Sequence, residues 1–308
     1  MKKILITGGC GMVGSQFQSE QFIKPSSKDL NLTKINNLNL FLNNGNFEAI
    51  IHLAAKVGGV KANTTFVGDF TEINLEINQN VLKSALLNDI PKVISLMSTC
   101  VYPDQPYVKY PLTEDQLHMG PPHQSNFGYA YAKRMLDVQS RAYRQQYNCN
   151  FITAIPNNLY GENDNFDLEN SHVIPAIMRK IWEAKLENKH QVEIWGDGSP
   201  LREFTYSGDI AKILLFLLEN YNEAEPINIG NTNEISIKEV VEIIKNEFEY
   251  DGKIFWNTQK PSGQFKKPSS NKKLLDLGWK EHDYTEFNKG IKLTCNWFKN
   301  SYPNIRGI

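Results

Sequence analysis

The first half of the chain alternates short apolar runs with longer amphipathic segments. Residues 3–7, 49–55 and 93–97 are rich in Ile, Leu, Val and Ala, which is typical of strands buried on both faces of a parallel sheet. Residues 71–88 and 129–146 repeat their apolar positions at helical spacing. This alternation of strands and helices predicts an α/β fold with a doubly wound, Rossmann-like parallel sheet.

The regular alternation fades in the second half of the chain. We therefore expect a dinucleotide-binding domain over residues 1–163 and a smaller C-terminal α/β domain over residues 164–308 that binds the substrate. Residues 203–230 contain an apolar helix that is expected to return to the first domain. A later helix is predicted to start after Ser236, because Glu239 stands three residues on and completes a capping box.

A glycine-rich turn follows the first predicted strand directly. Glycines in this position permit a tight turn and a close approach of the backbone to a pyrophosphate, which sits at the start of the following helix. Because the turn stands between a strand and an expected helix, it predicts a dinucleotide site. The residues of the turn are Gly8, Gly9, Cys10, Gly11, Met12, Val13 and Gly14.

The end of the second predicted strand, near residues 22–27, indicates which dinucleotide is bound. NAD sites usually carry an acidic residue there, which binds the ribose 2′-hydroxyl. This chain has Ser26, Ser27 and Lys28 instead. Two hydroxyls and a cation suit a 2′-phosphate, so the sequence favours NADP(H); the alternative is that Lys28 is a solvated loop residue.

Ser98, Tyr129 and Lys133 are the candidates for catalysis. Ser98 follows the strand 93–97, and ligands in open α/β sheets bind at the carboxyl ends of strands. Tyr129 and Lys133 are four residues apart on a predicted helix, so they share one face. An ammonium beside a phenol lowers its pKa from about 10 towards neutrality, and Ser98 would hold a carbonyl oxygen. The alternative is an ordinary pair on a solvated helix face.

Composition and charge narrow the function further. The 308 residues have a formal net charge of -1, which gives no electrostatic case for binding nucleic acid or a membrane surface. The chain has no run of about 18 apolar residues, and the apolar stretch at its start ends at Gly8, too early for a signal peptide, so we expect a cytoplasmic protein. Its four cysteines lack the spacing of zinc ligands, and no metal site is predicted.

Several longer stretches together are similar to the extended short-chain dehydrogenase/reductase family. The glycine turn and the Tyr129/Lys133 pair are common to many reductases. Other stretches are specific to members that epimerise and reduce GDP-linked keto sugars, which implies that the second domain binds a nucleotide sugar. The resemblance covers nearly the whole chain and is densest in HLAAKVGGVKAN (52–63), STCVYPD (98–104), residues 118–139, residues 164–176 and WGDGSPLREF (195–204).

The resemblance implies NADPH-dependent 3,5-epimerisation and 4-reduction of GDP-4-keto-6-deoxymannose by a homodimer. Ser98, Tyr129 and Lys133 match the reductase triad, and Lys133 also matches a ligand of the nicotinamide ribose. Cys100 and His172 match the pair that moves protons during epimerisation. The positions matched to GDP binding are Lys180, Trp195 and Arg202. Those matched to the cofactor pocket, beside the glycine turn and Lys28, are Leu96, Met97, Ser98, Thr99, Lys133, Pro156, Asn157, Asn158, Leu159 and His172.

The residues alone leave other interpretations open. Cys100 is equally consistent with an apolar core position, His172 with a helix cap, and Trp195 with the core. For the function, the alternatives are a 4-reductase, with or without epimerisation, of a related GDP-4-keto-6-deoxy sugar such as a heptose, or a non-catalytic NADP-binding sensor. Two positions depart from relatives: Ser262 replaces an aspartate near the guanosine, and Cys10 replaces an arginine that contacts the 2′-phosphate.

Overall fold

The structure is a computed structural model that describes residues 3–260 and 265–308, so Ser262 lies outside the described residues. Within them, the strands are β1 (Lys3–Thr7), β2 (Phe22–Ile23), β3 (Phe47–His52), β4 (Lys92–Leu96), β5 (Asn150–Ile155), β6 (Asn158–Tyr160), β7 (Gln191–Trp195), β8 (Leu201–Tyr206), β9 (Ile227–Asn228), β10 (Glu234–Ser236) and β11 (Lys253–Asn257). The α-helices are α1 (Ile35–Asn43), α2 (Val60–Thr65), α3 (Val67–Leu87), α4 (Phe127–Tyr147), α5 (Val173–Leu186), α6 (Ser207–Asn220), α7 (Ile237–Glu247), α8 (Lys272–Leu277) and α9 (Phe287–Ser301).

The main sheet is parallel throughout and has the strand order β2-β1-β3-β4-β5-β9. β2 pairs with one side of β1. β3 pairs with the other side, and β4, β5 and β9 follow it in that direction. This reversal opens a crevice at the carboxyl ends of β1 and β3, which is where open α/β sheets bind ligands. The predicted doubly wound fold is confirmed. Two smaller sheets, β10-β8-β6 and β11-β7, belong to the second half of the chain.

Both faces of the main sheet are covered by helices. Ile4 and Ile6 of β1 point to one face and share a core cluster with Leu214 of α6. Leu5 points to the other face and shares a cluster with Leu82 of α3 and residues of α1 and α4. Because successive side chains of a strand point to opposite faces, the strand is apolar at every position between its ends. A third cluster lies among α5, α7, α9 and the smaller sheets.

Residues from both halves of the chain contribute to the main sheet and its core. β9 pairs with β5, and α6 packs against the sheet, so residues within 203–230 lie with the first half. Leu274 and Trp279 join the same core cluster, whereas β6 pairs with β8 in a smaller sheet. The division at residue 163 stays a prediction.

The segment after the glycine turn differs from the expectation. Instead of an α-helix, a single 3₁₀ turn spans Gly14–Gln16. The reason is length, because β2 already begins at Phe22 and leaves no room for a helix that crosses the sheet. Binding of a pyrophosphate at this turn therefore depends on the glycine backbone itself and gains little from a helix dipole.

The predicted capping box at the start of α7 is confirmed. Glu239 N donates to Ser236 Oγ at 3.2 Å, and Ser236 N donates to Glu239 Oε2 at 2.9 Å. Among the helices of residues 3–260 and 265–308, none combines the length and the apolar character needed to cross a bilayer.

Lys92 joins the main sheet to the end of α6. It is the first residue of β4, its exposure is 8%, and its ammonium reaches the carboxyl end of the helix. Nζ donates to the carbonyl oxygens of Leu217, Leu218 and Tyr221 at 3.0, 2.7 and 2.7 Å, and to Asn222 Oδ1 at 3.0 Å. The last carbonyls of a helix have no partner within it, so this cation satisfies them and favours the negative end of the dipole.

We predict that Lys92→Met lowers the free energy of unfolding by about 2–3 kcal/mol, because these buried carbonyls lose a charged donor while the apolar stem is kept. Denaturant unfolding at pH 7 measures it. The control is Lys83→Met, at an exposed lysine of α3, which is expected to stay within about 0.5 kcal/mol of the parent. Equal effects of the two substitutions would show that the contacts of Lys92 contribute nothing.

Candidate active site

The glycine turn forms a cradle that side chains would fill. Gly8 has φ +72°, and a Cβ there would lie 2.9 Å from Ala54 N. A Cβ on Gly14 would lie 2.4 Å from Gly8 O, and one on Gly9 would lie 2.5 Å from Lys24 Cβ. These distances are too short for any side chain, so the glycines are required by the fold of the turn. The bare backbone at the end of β1 fits the close approach of a dinucleotide.

The residues that were predicted to choose between NAD and NADP lie in the glycine turn and in the loop after β2. Cys10 and Lys28 are both exposed. Ser26 Oγ donates to Asp29 Oδ2 at 2.6 Å, and Ser26 N donates to the same carboxylate at 3.2 Å. The carboxylate of Asp29 is therefore engaged within its own turn, and Lys28 is left as the solvent-facing charge of that turn.

The end of β4 is fixed by bonds to the end of β5. Met97 N donates to Ala154 O at 2.8 Å, and Thr99 N donates to Pro156 O at 3.0 Å. Ser98 has an extended backbone, and its Oγ accepts from Cys100 N at 3.4 Å, which starts the 3₁₀ turn Thr99–Val101. The predicted cofactor residues at the ends of these two strands, 96–99 and 156–159, are thus neighbours.

Lys133 is buried against β4. Only 2% of it is exposed, and Nζ donates to Leu96 O at 2.9 Å. Burial lowers the pKa of Lys133 to about 8, and the nearby Cys100 thiol opposes that change. This burial overturns the interpretation of Tyr129 and Lys133 as a pair on a solvated helix face. It also places the ammonium at the carboxyl end of β4, beside Ser98.

The expected effect of Lys133 on Tyr129 was wrong. Burial raises the pKa of the Tyr129 phenol above its ordinary value, and the negative charge of the Cys100 thiolate raises it further. The ammonium of Lys133 is directed to Leu96 O, which explains why the phenol is not acidified. Tyr129 is therefore a neutral phenol at physiological pH, which is the form that can donate a proton.

Cys100 packs against the apolar core cluster that contains Leu5, and it also lies near charged and polar groups. Burial raises the pKa of its thiol, whereas a hydrogen bond with Ser98 and the charges of Lys267 and Lys133 lower it. Lys267 was not singled out from the sequence. Its segment is fixed by Leu112 N, which donates to Pro268 O at 2.9 Å. A half-buried thiol between two cations has the surroundings of a group that exchanges protons.

His172 stands apart from the other candidates. It is the N-cap residue of α5, it is exposed, and its side chain makes no capping hydrogen bond. In the described part of the chain, no hydrogen bond or ion pair joins its ring to Cys100 or Tyr129. Its charge interacts with the buried carboxyl of Asp164, a residue that sequence reasoning also missed. The structure thus brings Ser98, Cys100, Tyr129 and Lys133 together and leaves the His172 ring free.

The residues predicted to hold GDP form a polar face on the second half of the chain. Trp195 is 55% exposed, which overturns its interpretation as a core residue. Lys180 Nζ lies 5.6 Å and Lys260 Nζ 5.4 Å from the centre of its ring. Arg202 is half-buried, Nη1 donates to Phe265 O at 3.2 Å, and burial lowers the pKa of its guanidinium. An exposed indole with two lysine ammonium groups near its ring suits a base and its phosphates.

Asn157 was predicted to line the cofactor pocket, but its side chain is bonded within the protein. The side chain is buried, its Nδ2 donates to Asn231 O at 2.6 Å, and its Oδ1 accepts from Thr205 Oγ1 at 2.6 Å. Nδ2 also donates to Glu203 Oε2 at 3.2 Å, so both N–H groups of the amide are used within the protein. Within the described residues, no cluster of three or more His, Cys, Asp or Glu side chains is arranged to hold a metal ion.

Comparisons with known proteins agree with this geometry. The model of the NAD dependent epimerase/dehydratase family matches residues 4–230. A GDP-L-fucose synthase from Dictyostelium discoideum is 38% identical over 318 residues, which covers 99% of this chain and 98% of the relative.

Two solved structures are similar to this chain over nearly its whole length. A GDP-L-fucose synthetase from Naegleria fowleri bound to NADP has a TM-score of 0.91 and 38% identity, covering 99% of this chain and 95% of that one. A GDP-6-OMe-4-keto-L-xylo-heptose reductase from C. jejuni has a TM-score of 0.88 and 29% identity, covering 97% and 98%.

We predict that Lys267→Gln moves the alkylation of Cys100 to higher pH, because loss of a neighbouring cation disfavours the thiolate. The expected shift of the pH midpoint is about 1 unit or more. Iodoacetamide labelling, followed by mass spectrometry of the peptide that contains Cys100, separates it from the exposed Cys10. Lys266→Gln, at an exposed neighbour, is the control and should leave the midpoint in place. Equal midpoints in all three proteins would contradict the electrostatic role of Lys267.

Proposed function

We propose a function in two reactions for this chain, which belongs to the NAD dependent epimerase/dehydratase family. The chain is an NADP(H)-dependent enzyme that inverts C3 and C5 of GDP-4-keto-6-deoxymannose and then reduces C4. The observation that carries the proposal is the convergence of Ser98, Cys100, Tyr129 and Lys133 at the carboxyl end of β4. A sensor that only binds the cofactor has no need of this set.

The cofactor is assigned to the crevice between the glycine turn and the end of β4. The turn offers bare backbone to the pyrophosphate, and Lys133 and the chain over 96–99 lie where the nicotinamide and its ribose are expected. Lys28 is the exposed cation available to a 2′-phosphate, since Cys10 occupies the place of an arginine. Bound NADPH supplies a hydride to C4.

One ketone explains both reactions. A carbonyl at C4 acidifies the protons at C3 and C5, so that one group can remove each proton and a second can return it on the opposite face. We assign these roles to Cys100 and His172, because a thiol and an imidazole can each take up a proton and give it back. Ser98 and Tyr129 donate hydrogen bonds to the oxygen on C4 while it carries negative charge. Tyr129 then gives its proton to that oxygen in the reductive step.

The GDP part is assigned to the polar face of the second half. The exposed ring of Trp195 supports stacking against guanine, and Arg202 and Lys180 support contacts to the phosphates. The 38% identity to a GDP-L-fucose synthase favours the deoxyhexose. A second candidate, 4-reduction of a related GDP-linked heptose, is supported by the similarity to the C. jejuni heptose reductase.

The cysteines support assignment of the reaction to the cytoplasm. All four are free thiols, and Cys10 is exposed. Free and exposed thiols persist in a reducing compartment, whereas secreted proteins commonly pair them.

We predict that the protein, given GDP-4-keto-6-deoxymannose and NADPH in deuterated water, consumes NADPH and yields a product with deuterium at C3 and C5. Tyr129→Phe should lower the reductive rate by about 10²–10⁴-fold with NADPH affinity nearly unchanged. Cys100→Ala should stop deuterium uptake while C4 remains reducible. Mass spectrometry and NADPH fluorescence measure these outcomes.

Two results would contradict the proposal, and each would leave a different function. Consumption of NADPH without deuterium at C3 or C5 would leave a simple reductase. Tight NADPH binding without turnover of this sugar or of the corresponding heptose would leave a sensor.

We also propose that the chain is a homodimer that pairs through α3 and α4. Phe127, Tyr131, Met135 and Val138 are at least 36% exposed and follow one another at helical spacing along α4. Leu75 of α3 is 37% exposed on the neighbouring helix. A continuous apolar stripe on two packed helices is typical of a surface that pairs with its symmetry mate.

We predict that Met135→Glu combined with Val138→Glu converts the dimer to a monomer, because the symmetric interface would bury four uncompensated charges. Light scattering after size-exclusion chromatography measures the mass. Leu186→Glu, at an exposed leucine that ends α5, is the matched control and should leave the dimer intact. A monomeric parent protein, or a dimer that survives the double substitution, would contradict the proposed interface.

A further inference from the structure

Asp164 is a buried carboxylate with one oxygen unused. Its exposure is 7%, and Oδ1 accepts a hydrogen bond from Asn165 N at 2.7 Å. Oδ2 is buried and has no hydrogen-bond partner among the residues that the structure describes. Buried polar atoms in native proteins are almost always paired, and an exception calls for an explanation such as strain, a catalytic role, or a bound water or ion. The free oxygen of Asp164 therefore requires an explanation that the fold alone does not provide.

Two positive charges act on the carboxyl of Asp164. Burial raises the pKa of the carboxyl, and the positive charges of His172 and Arg306 lower it, with His172 the larger of the two. His172 caps α5 without using its side chain for the cap. The hydroxyl of Ser171, beside His172, is also buried without a partner. Two of the buried polar atoms that have no partner among the described residues therefore lie on the segment that ends at His172.

The segment that carries both residues is fixed at several points. Asn163 Nδ2 donates to Ser15 Oγ at 3.1 Å, next to the glycine turn. Phe166 N donates to Arg306 O at 2.9 Å, and Gly59 N donates to Asn170 O at 2.8 Å. Asp164 therefore lies between the cofactor turn and His172 on a backbone held from three sides, which suits a group that orients a side chain.

We infer that Asp164 is the positioning residue for His172, accepting a hydrogen bond from one ring N–H on its free Oδ2. This inference rests on the proposed role of His172 in epimerisation. The carboxylate fixes the tautomer and the orientation of the ring, so that the second nitrogen is presented to the sugar. The proton moves between the sugar carbon and that second nitrogen, and the carboxylate of Asp164 stabilises the imidazolium that forms.

The test uses the full chain with NADPH and the keto sugar in deuterated water. Asp164→Asn keeps the acceptor for Asn165 N and loses the charge. We expect deuterium uptake to fall by about 10–100-fold, with NADPH affinity and melting temperature nearly unchanged. Asp167→Asn is the matched control, since that carboxylate of the same segment only accepts from Glu169 N and Asn170. It should retain full uptake.

A double-substitution cycle separates positioning from mere structure. If Asp164 acts through the imidazole, Asp164→Asn has no further effect on deuterium uptake in a His172→Gln background. If each substitution lowers deuterium uptake by its own factor and the two factors multiply in the double variant, the inference is overturned. If His172→Gln leaves uptake unchanged, the proposed function fails instead. If His172→Gln abolishes uptake while Asp164→Asn does not, only the inference fails.

A measurement on the unaltered ring covers the case in which Asp164→Asn folds poorly. Long-range ¹H–¹⁵N spectra of the ¹⁵N-histidine-labelled protein report which ring nitrogen carries the proton, and the His172→Gln spectrum assigns the signal. We expect one dominant neutral tautomer for His172. A ring that exchanges freely between both tautomers would contradict a fixed hydrogen bond to Asp164.

Discussion

The contact between Lys133 Nζ and Leu96 O is the interaction on which the site depends. It joins α4 to the carboxyl end of β4, where the sheet delivers Ser98 and Cys100. An ammonium removed from water costs free energy unless it finds partners, so the helix has to place Lys133 against this carbonyl. Because Tyr129 lies one helical turn earlier, the same contact fixes the phenol beside the thiol.

Burial, rather than pairwise charge, sets the protonation of this group of residues. Burial raises the pKa of the Tyr129 phenol and of the Cys100 thiol, and it lowers the pKa of Lys133 to about 8, so that Lys133 still carries its charge at neutral pH. A neutral phenol is ready to donate its proton to an alkoxide. The charges of Lys267 and Lys133 offset part of the cost of forming the Cys100 thiolate when a proton has to be taken from carbon.

Much of the fold could be predicted from the sequence, because the apolar runs and the glycine turn are local signals. The missing helix after that turn depends on where β2 starts, which its short sequence does not mark. The direction of the Tyr129 pKa was wrong because an i,i+4 spacing fixes a shared face but not where an ammonium points. Lys267 and Asp164 were missed because their partners lie on other segments, and only the tertiary fold shows that an isolated acid or base faces a reactive group.

The central claim is that a single ketone is held by Ser98 and Tyr129 while Cys100 and His172 face opposite sides of its ring. A crystal structure with NADP and the GDP-linked keto sugar tests it most directly. The account predicts the oxygen on C4 within about 2.6–3.2 Å of Ser98 Oγ and Tyr129 Oη, with Cys100 Sγ and a ring nitrogen of His172 against opposite faces. A sugar bound with its ketone away from Tyr129, or with both groups on one face, would contradict the account.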